Sequence, residues 1–290
     1  MNKNIFRGLG IALITPFTES GAVDYVALNN LLDYQINSGA DFLCILATTG
    51  ETPCLSSEEK TEIKNLIVRR VAGRIPILMG CGSNNTAEVV NTLKTADFTG
   101  IDGILSVVPY YNKPTQEGLY QHFKAIAEAS PLPVVLYNVP GRVGVNMTAE
   151  TTLRLANDCP SIVAIKEASG NMDQIDKILR NAPEGFEVIS GDDGLTLQII
   201  RNGGVGVISV IGNAVPKEFG KLVHLSLEGK YDEADKIDIS FRELYRLLFV
   251  DGNPAGVKVM LANKGLIKNC LRLPLVPASM DTTEKITAAM

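Results

Sequence analysis

The chain has 290 residues, 46% of them apolar and 20% charged, which is enough to bury a large core and excludes a disordered or fibrous protein. Its 27 Lys and Arg against 32 Asp and Glu give a net charge of -5 with no basic run, so a nucleic-acid surface is excluded and small molecules are the expected partners. The five cysteines (Cys44, Cys54, Cys81, Cys159 and Cys270) contain no C-x-x-C pair and read as reduced, mostly buried thiols, while two distant histidines, His122 and His224, argue against a histidine metal site or triad.

At the start, Lys3 and Arg7 precede the short apolar run Leu9 to Ile14, as in a leader. Thr15-Pro16-Phe17-Thr18-Glu19 follows where a cleavage site would need small residues, so a first buried strand is expected. No apolar run approaches the ~20 residues of a membrane span, and a soluble cytoplasmic protein fits. The tripeptide Asn146-Met147-Thr148 matches a glycosylation acceptor, a pattern common by chance.

Eight apolar runs bounded by turn residues follow one another: Gly10 to Phe17, Phe42 to Thr49, Pro76 to Gly82, Gly103 to Tyr111, Pro133 to Val139, Ile162 to Ser169, Phe186 to Asp193 and Gly206 to Asn213. Between them lie amphipathic stretches such as Asp24 to Ser38, Ser56 to Ala72, Thr86 to Phe98, Thr115 to Ala129 and Asn171 to Arg180, several opening on a capping Ser, Thr, Asp or Asn. Ser56-Ser57-Glu58-Glu59 offers a capping box. Strands apolar on both faces need helices covering a parallel sheet, so the expected fold is an α/β (β/α)8 TIM barrel over residues 1–230. An open doubly wound sheet is the alternative. It usually carries G-x-G-x-x-G after its first strand, whereas Thr15-Pro16-Phe17 stands there, and Gly80-Cys81-Gly82 lacks the third glycine. The tail, residues 231–290, with helical stretches Tyr231 to Phe249 and Pro254 to Leu266, reads as a C-terminal helical extension packed on the barrel, in one functional unit.

Barrel active sites collect at the C-terminal ends of the strands. Those ends here are polar: Thr48-Thr49-Gly50-Glu51, Pro109-Tyr110-Tyr111-Asn112, Tyr137-Asn138-Val139-Pro140-Gly141-Arg142, Lys166, Ser190-Gly191-Asp192-Asp193 and Ile208 to Asn213. Lys166 lies inside the apolar run Ser161 to Ser169. Desolvation disfavours an ammonium and frees its lone pair to form a Schiff base with a carbonyl. Equally open, for Lys166 taken alone, is a strand-end lysine whose stem packs and whose head reaches water. Tyr137, Thr48 and Tyr111 have hydroxyls able to relay protons, although a strand-end tyrosine more commonly bonds backbone and a threonine there can reflect β propensity. Gly203-Gly204 suggests phosphate binding, yet it precedes strand eight and so belongs to a turn at the bottom of the barrel.

Taken together, Thr48-Thr49-Gly50-Glu51, Pro109-Tyr110-Tyr111-Asn112-Lys113-Pro114, Tyr137-Asn138-Val139-Pro140 with Arg142, and Ile165-Lys166-Glu167-Ala168 resemble the dihydrodipicolinate synthase family, from Gly10 to Leu271-Arg272-Leu273-Pro274. The resemblance implies a class I lyase without metal or cofactor that condenses pyruvate with L-aspartate 4-semialdehyde, the first committed step of the diaminopimelate route to lysine. It implies that Lys166 carries the covalent pyruvate imine, Tyr137 exchanges protons, and Thr48 relays them. Tyr111 would enter the neighbouring subunit's site, in a homotetramer built as a dimer of tight dimers. Thr49, Ile208 and Gly191 would hold pyruvate, and Arg142 the semialdehyde carboxylate, since a guanidinium grips a carboxylate with two bonds. The other reading of Arg142 is a surface arginine in a weak ion pair.

Within the superfamily, N-acetylneuraminate lyase and keto-sugar-acid aldolases or dehydratases share the lysine and tyrosine. Arg142 argues against them, because they take neutral polyols. A non-catalytic keto-acid sensor would need no desolvated amine. Ala47 stands where the family often has glycine, a small departure. The resemblance also implies a lysine feedback site at Asn84, Glu88 and Tyr110, with Thr52, Pro53, Ser57 and Lys60 where the inhibitor's side-chain amine would lie. Lys60 would repel that amine by about 1 kcal/mol or more, so weak or absent lysine inhibition is expected.

Overall fold

The computed structural model describes residues 5–290, so Lys3 and the rest of Met1–Asn4 lie outside the described residues. Seven of the eight apolar runs contain a strand and the first overlaps one: β1 Gly8–Ala12, β2 Phe42–Ile45, β3 Ile77–Gly80, β4 Gly103–Val107, β5 Val134–Asn138, β6 Ile162–Glu167, β7 Glu187–Ser190 and β8 Gly206–Ser209. They pair in chain order and close, β1 lying parallel to β8 with Gly10 opposite Ile208. An open doubly wound sheet is thereby excluded, and the fold is a (β/α)8 barrel.

The strands are shorter than the apolar runs, and the difference falls at their C-terminal ends. There the chain leaves the ladder for short 3-10 turns at Thr48–Gly50, Asp193–Leu195 and Ile211–Asn213. Burial continues past the last ladder hydrogen bond at Thr49, Gly50, Asp193 and Ile211 to Asn213 within these turns. β1 instead begins at Gly8, ahead of the expected Gly10.

Helix starts follow the caps. Asp24, Thr115 and Asn171 accept backbone N–H bonds at the heads of helices Tyr25–Asn37, Gln116–Ala129 and Met172–Asn181. Ser56 and Glu59 form the reciprocal capping box that opens Ser57–Val71. The helix expected at Thr86 to Phe98 ends earlier, at Thr95. Gly203 and Gly204 form a turn, donating to the carbonyls of Ile200 and Ile199 and entering β8 at the bottom of the barrel.

The tail forms helices Tyr231–Leu247, Ala255–Asn263 and Met280–Ala289. Its Phe241, Leu244, Leu248 and Val257 belong to the same buried cluster as the barrel side chains. Phe219, from the helix after β8, meets the rings of Phe241 and Tyr245 edge-on, with centroids 6.0 and 6.1 Å away.

All five cysteines are free, but only Cys44 and Cys159 are buried; Cys54, Cys81 and Cys270 are half-buried, which corrects the expectation of mostly buried thiols. They sit on the margins of loops, where a small apolar side chain is tolerated without full enclosure. Asn146, of the glycosylation tripeptide, is partly buried and its amide is engaged with Asn138 and Gln174.

Candidate active site

The ladder sets the central pair. Tyr137 on β5 is in register with Lys166 on β6, so both side chains project to the same side of the wall. The Lys166 ammonium lies 4.3 Å from the centroid of the Tyr137 ring, and each residue is 5% exposed. Lys166 forms no salt bridge among the described residues; its polar neighbour is a π face.

One register step on, Asn138 and Glu167 point to the opposite side. There the buried Glu167 carboxylate accepts from Asn138 Nδ2 at 3.1 Å, Ser169 N at 2.9 Å and Gln174 Nε2 at 3.1 Å. Burial pushes its carboxyl up, against these donors. The alternation therefore separates the buried amine from the adjacent buried acid.

Gly191, after β7, is where a side chain could not be added. A Cβ there would stand 2.7 Å from Ala168 Cβ and 3.1 Å from Lys166 Cε, so the glycine leaves room for the lysine stem. Ile208 on β8 is fully buried across the same interior.

A cavity of about 560 Å³ opens at the C-terminal ends of β2 to β5. Thr48, Tyr137 and Arg142 line it, together with Glu88, Tyr110, Thr52, Pro53 and Lys60. Two of the three expected catalytic hydroxyls, Thr48 and Tyr137, and most of the expected feedback residues thus share one continuous space. Lys166, Gly191 and Ile208 are not among its lining residues; Lys166 lies against the Tyr137 ring.

Arg142 sits on the short helix Pro140–Val143, exposed, with no salt bridge among the described residues. Tyr111 does not join the cavity of its own chain. It is 89% exposed at φ 73°, a left-handed conformation that turns the loop outward. Asn84 donates to Tyr110 O at 3.1 Å, and Ser57 is an exposed helix-start residue outside the cavity. Ala47 is extended at φ -110°, open to any L residue, so the missing glycine costs nothing here.

Two thiols near the site, Cys44 and Cys81, are poor nucleophiles. Burial raises Cys44 to about 11, and burial together with Glu88 raises Cys81, on the cavity wall, to about 11. Among the described residues no group of His, Cys, Asp and Glu is arranged to hold a metal ion.

Several residues at the site escaped the sequence reading. Asn253, in the tail, lines the cavity and donates from Nδ2 to Thr49 Oγ1 at 2.9 Å, which buries Thr49. Lys258, fully buried, pairs with Glu51 and donates to Cys270 O at 2.8 Å. Arg272 grips Glu59 through two bonds of 2.7 and 2.6 Å, and holds that carboxyl down at about 2. Phe17 lies between, with Lys258 Nζ 4.4 Å and Arg272 Cζ 4.5 Å from its ring centroid. The only local signal was a lysine in the apolar stretch Pro254 to Leu266, like that of Lys166 in its strand.

The family profile described as the dihydrodipicolinate synthetase family matches residues 5–290. The chain belongs to this family. It is 63% identical to the 4-hydroxy-tetrahydrodipicolinate synthase of Phocaeicola vulgatus, over 100% of this chain and 98% of that one. The solved dihydrodipicolinate synthase of Thermotoga maritima superposes with a TM-score of 0.96 at 42% identity, covering 99% of this chain and 98% of that one. A family member from Cyanidioschyzon merolae, solved with lysine bound, superposes with a TM-score of 0.94 at 40% identity over 99% and 97% of the two chains.

Proposed function

We propose that this family member acts as a 4-hydroxy-tetrahydrodipicolinate synthase through an imine on Lys166. The observation that carries the assignment is a buried lysine amine laid on the Tyr137 ring with no carboxylate partner, beside a cavity rimmed by the unpaired Arg142. Full-length identity of 63% to a synthase of that name supports the reaction.

The Lys166 amine adds to the pyruvate ketone, and loss of water gives an imine whose positive nitrogen acidifies the methyl protons. Tyr137 takes part in moving that proton, with Thr48 as its relay. The enamine attacks the aldehyde carbon of L-aspartate 4-semialdehyde. The substrate amine then adds at the imine carbon, displaces Lys166 and closes the ring. Arg142 holds the semialdehyde carboxylate with two charge-assisted bonds, fixing the aldehyde against the enamine. Thr49, Ile208 and Gly191 hold pyruvate. No external cofactor enters this sequence of steps.

The outward-turned Tyr111 supports a second assignment, completion of the neighbouring subunit's relay in a tight dimer, with two dimers forming a tetramer. The helices from residue 231 onward act with the barrel as one unit. No helix among the described residues is long and apolar enough to cross a membrane, and the substrates are cytoplasmic metabolites in this reading. The cavity wall formed by Glu88, Tyr110, Thr52, Pro53 and Lys60, with Asn84 and Ser57 beside it, is the lysine site, weakened by Lys60.

The deciding experiment measures pyruvate consumption with L-aspartate 4-semialdehyde and, separately, with N-acetylmannosamine. Turnover confined to the first is expected. Turnover with the sugar alone would move the chain to the lyases, and silence in both would favour a keto-acid sensor.

A further inference from the structure

The turn that begins at Thr48 carries two ties to one distant segment of chain. Asn253 bonds Thr49 Oγ1. Two residues on, Glu51 ends the Thr48–Gly50 turn and donates from its N–H to Thr48 O at 3.1 Å. Glu51 adopts φ 53° and ψ 34°, a left-handed conformation that side chains other than Gly, Asn and Asp rarely take. Its carboxylate is consumed by the tail: Lys258 Nζ binds Oε1, and Arg272 N donates to Oε2 at 3.1 Å. The same ammonium reaches Cys270 O, so one cation holds the turn and two places in the tail together with no access to water. Pro274 and Leu275, just beyond Arg272, wall the cavity.

We propose that Lys258 is a positioning residue for the condensation: through Glu51, its ammonium holds Thr48 in the geometry that the proton relay requires. This rests on the reading of Thr48 as a relay. A hydroxyl relay transfers protons only at hydrogen-bond distance, so a small displacement of Thr48 slows chemistry, while Thr49, held separately by Asn253, keeps its hold on pyruvate and imine formation stays intact.

The test compares Lys258→Met and the neutral pair Glu51→Gln with Lys258→Met, using Thr48→Val as the benchmark. Each variant that circular dichroism shows folded is assayed for kcat, for KM and for borohydride trapping of the pyruvate imine. The expected result is a kcat lower by about tenfold or more, approaching that of Thr48→Val, with trapping intact and the pyruvate KM changed less than about twofold. The double variant, which leaves no lone charge, is expected to regain melting temperature but not kcat, and it carries the test if Lys258→Met alone does not fold. Recovery of both kcat and melting temperature in the double variant would show the pair to be structural only. A slow Thr48→Val beside a double variant of wild-type rate defeats the positioning role alone. A Thr48→Val of wild-type rate defeats the relay reading and this inference with it.

Discussion

Two buried lysines, one in the barrel wall and one in the tail, meet opposite surroundings. Lys258 is enclosed with the Glu51 carboxylate and the Cys270 carbonyl; burial pushes its ammonium down and Glu51 pushes it back up. Lys166 is enclosed against the Tyr137 ring, and its acidic neighbour Glu167 faces the other side of the wall. A buried cation with a matched anion is committed to structure. A buried amine kept from one can serve as a nucleophile. Depth of burial is nearly equal in the two, so what separates them is the partner.

The sharpest way to break this contrast is covalent trapping. Lys166→Ala should lose both the borohydride adduct with pyruvate and all condensation, whereas Lys258→Met should keep the adduct; persistence of the adduct in Lys166→Ala, read by mass spectrometry, removes the lysine assignment. Tyr137→Phe keeps the ring under the ammonium and removes the hydroxyl, so kcat should fall by about 10²–10⁴ if that hydroxyl moves protons. Calorimetry tests the structural side. Lys258→Met orphans a buried carboxylate and should cost about 3–5 kcal/mol, while Lys166→Met, which orphans none, should change stability by about 1 kcal/mol or less. Arg142→Ala should lower kcat/KM for the semialdehyde by about tenfold to a hundredfold, the worth of charge-assisted bonds of about 1.5–3 kcal/mol, with pyruvate affinity unchanged in single-substrate titrations. The smallest effect concerns Lys60. Lysine should inhibit weakly or not at all, and Lys60→Ala should strengthen inhibition by about 1 kcal/mol; a low-micromolar inhibition constant in the unaltered protein, lost on Glu88→Ala, overturns the repulsion argument.

Much of the barrel was legible in one dimension. Parallel strands covered by helices must be apolar throughout, so β1 to β8 each announced themselves, and caps at Asp24, Ser56, Thr115 and Asn171 marked helix starts to within a residue. Helices Ala149–Asp158, Pro216–Leu227 and Met280–Ala289 were not singled out, although Thr148, Pro216 and Ser279 are ordinary start signals. Strand ends were misplaced because apolarity reports burial, while a strand ends where its ladder bonds end. Lys166 was visible as a charge inside an apolar run, and the strand-end motifs carried the family resemblance.

Contacts between remote segments were not legible. Lys258 and Glu51 lie 207 residues apart, and Asn253 and Thr49 lie 204 apart. Nothing in the neighbourhood of either lysine says which will find a carboxylate, because a pairing partner is chosen by where the closed barrel and its tail bring side chains together. The order and character of the elements, the eightfold alternation and the chemistry of the strand ends were determined by the sequence read locally, since periodicity and capping act over a few residues. Barrel closure, the single cavity shared by Thr48, Tyr137, Arg142 and Glu88, the outward turn of Tyr111 and the different partners of the two buried lysines were decided by tertiary structure alone, since burial and charge pairing act through space.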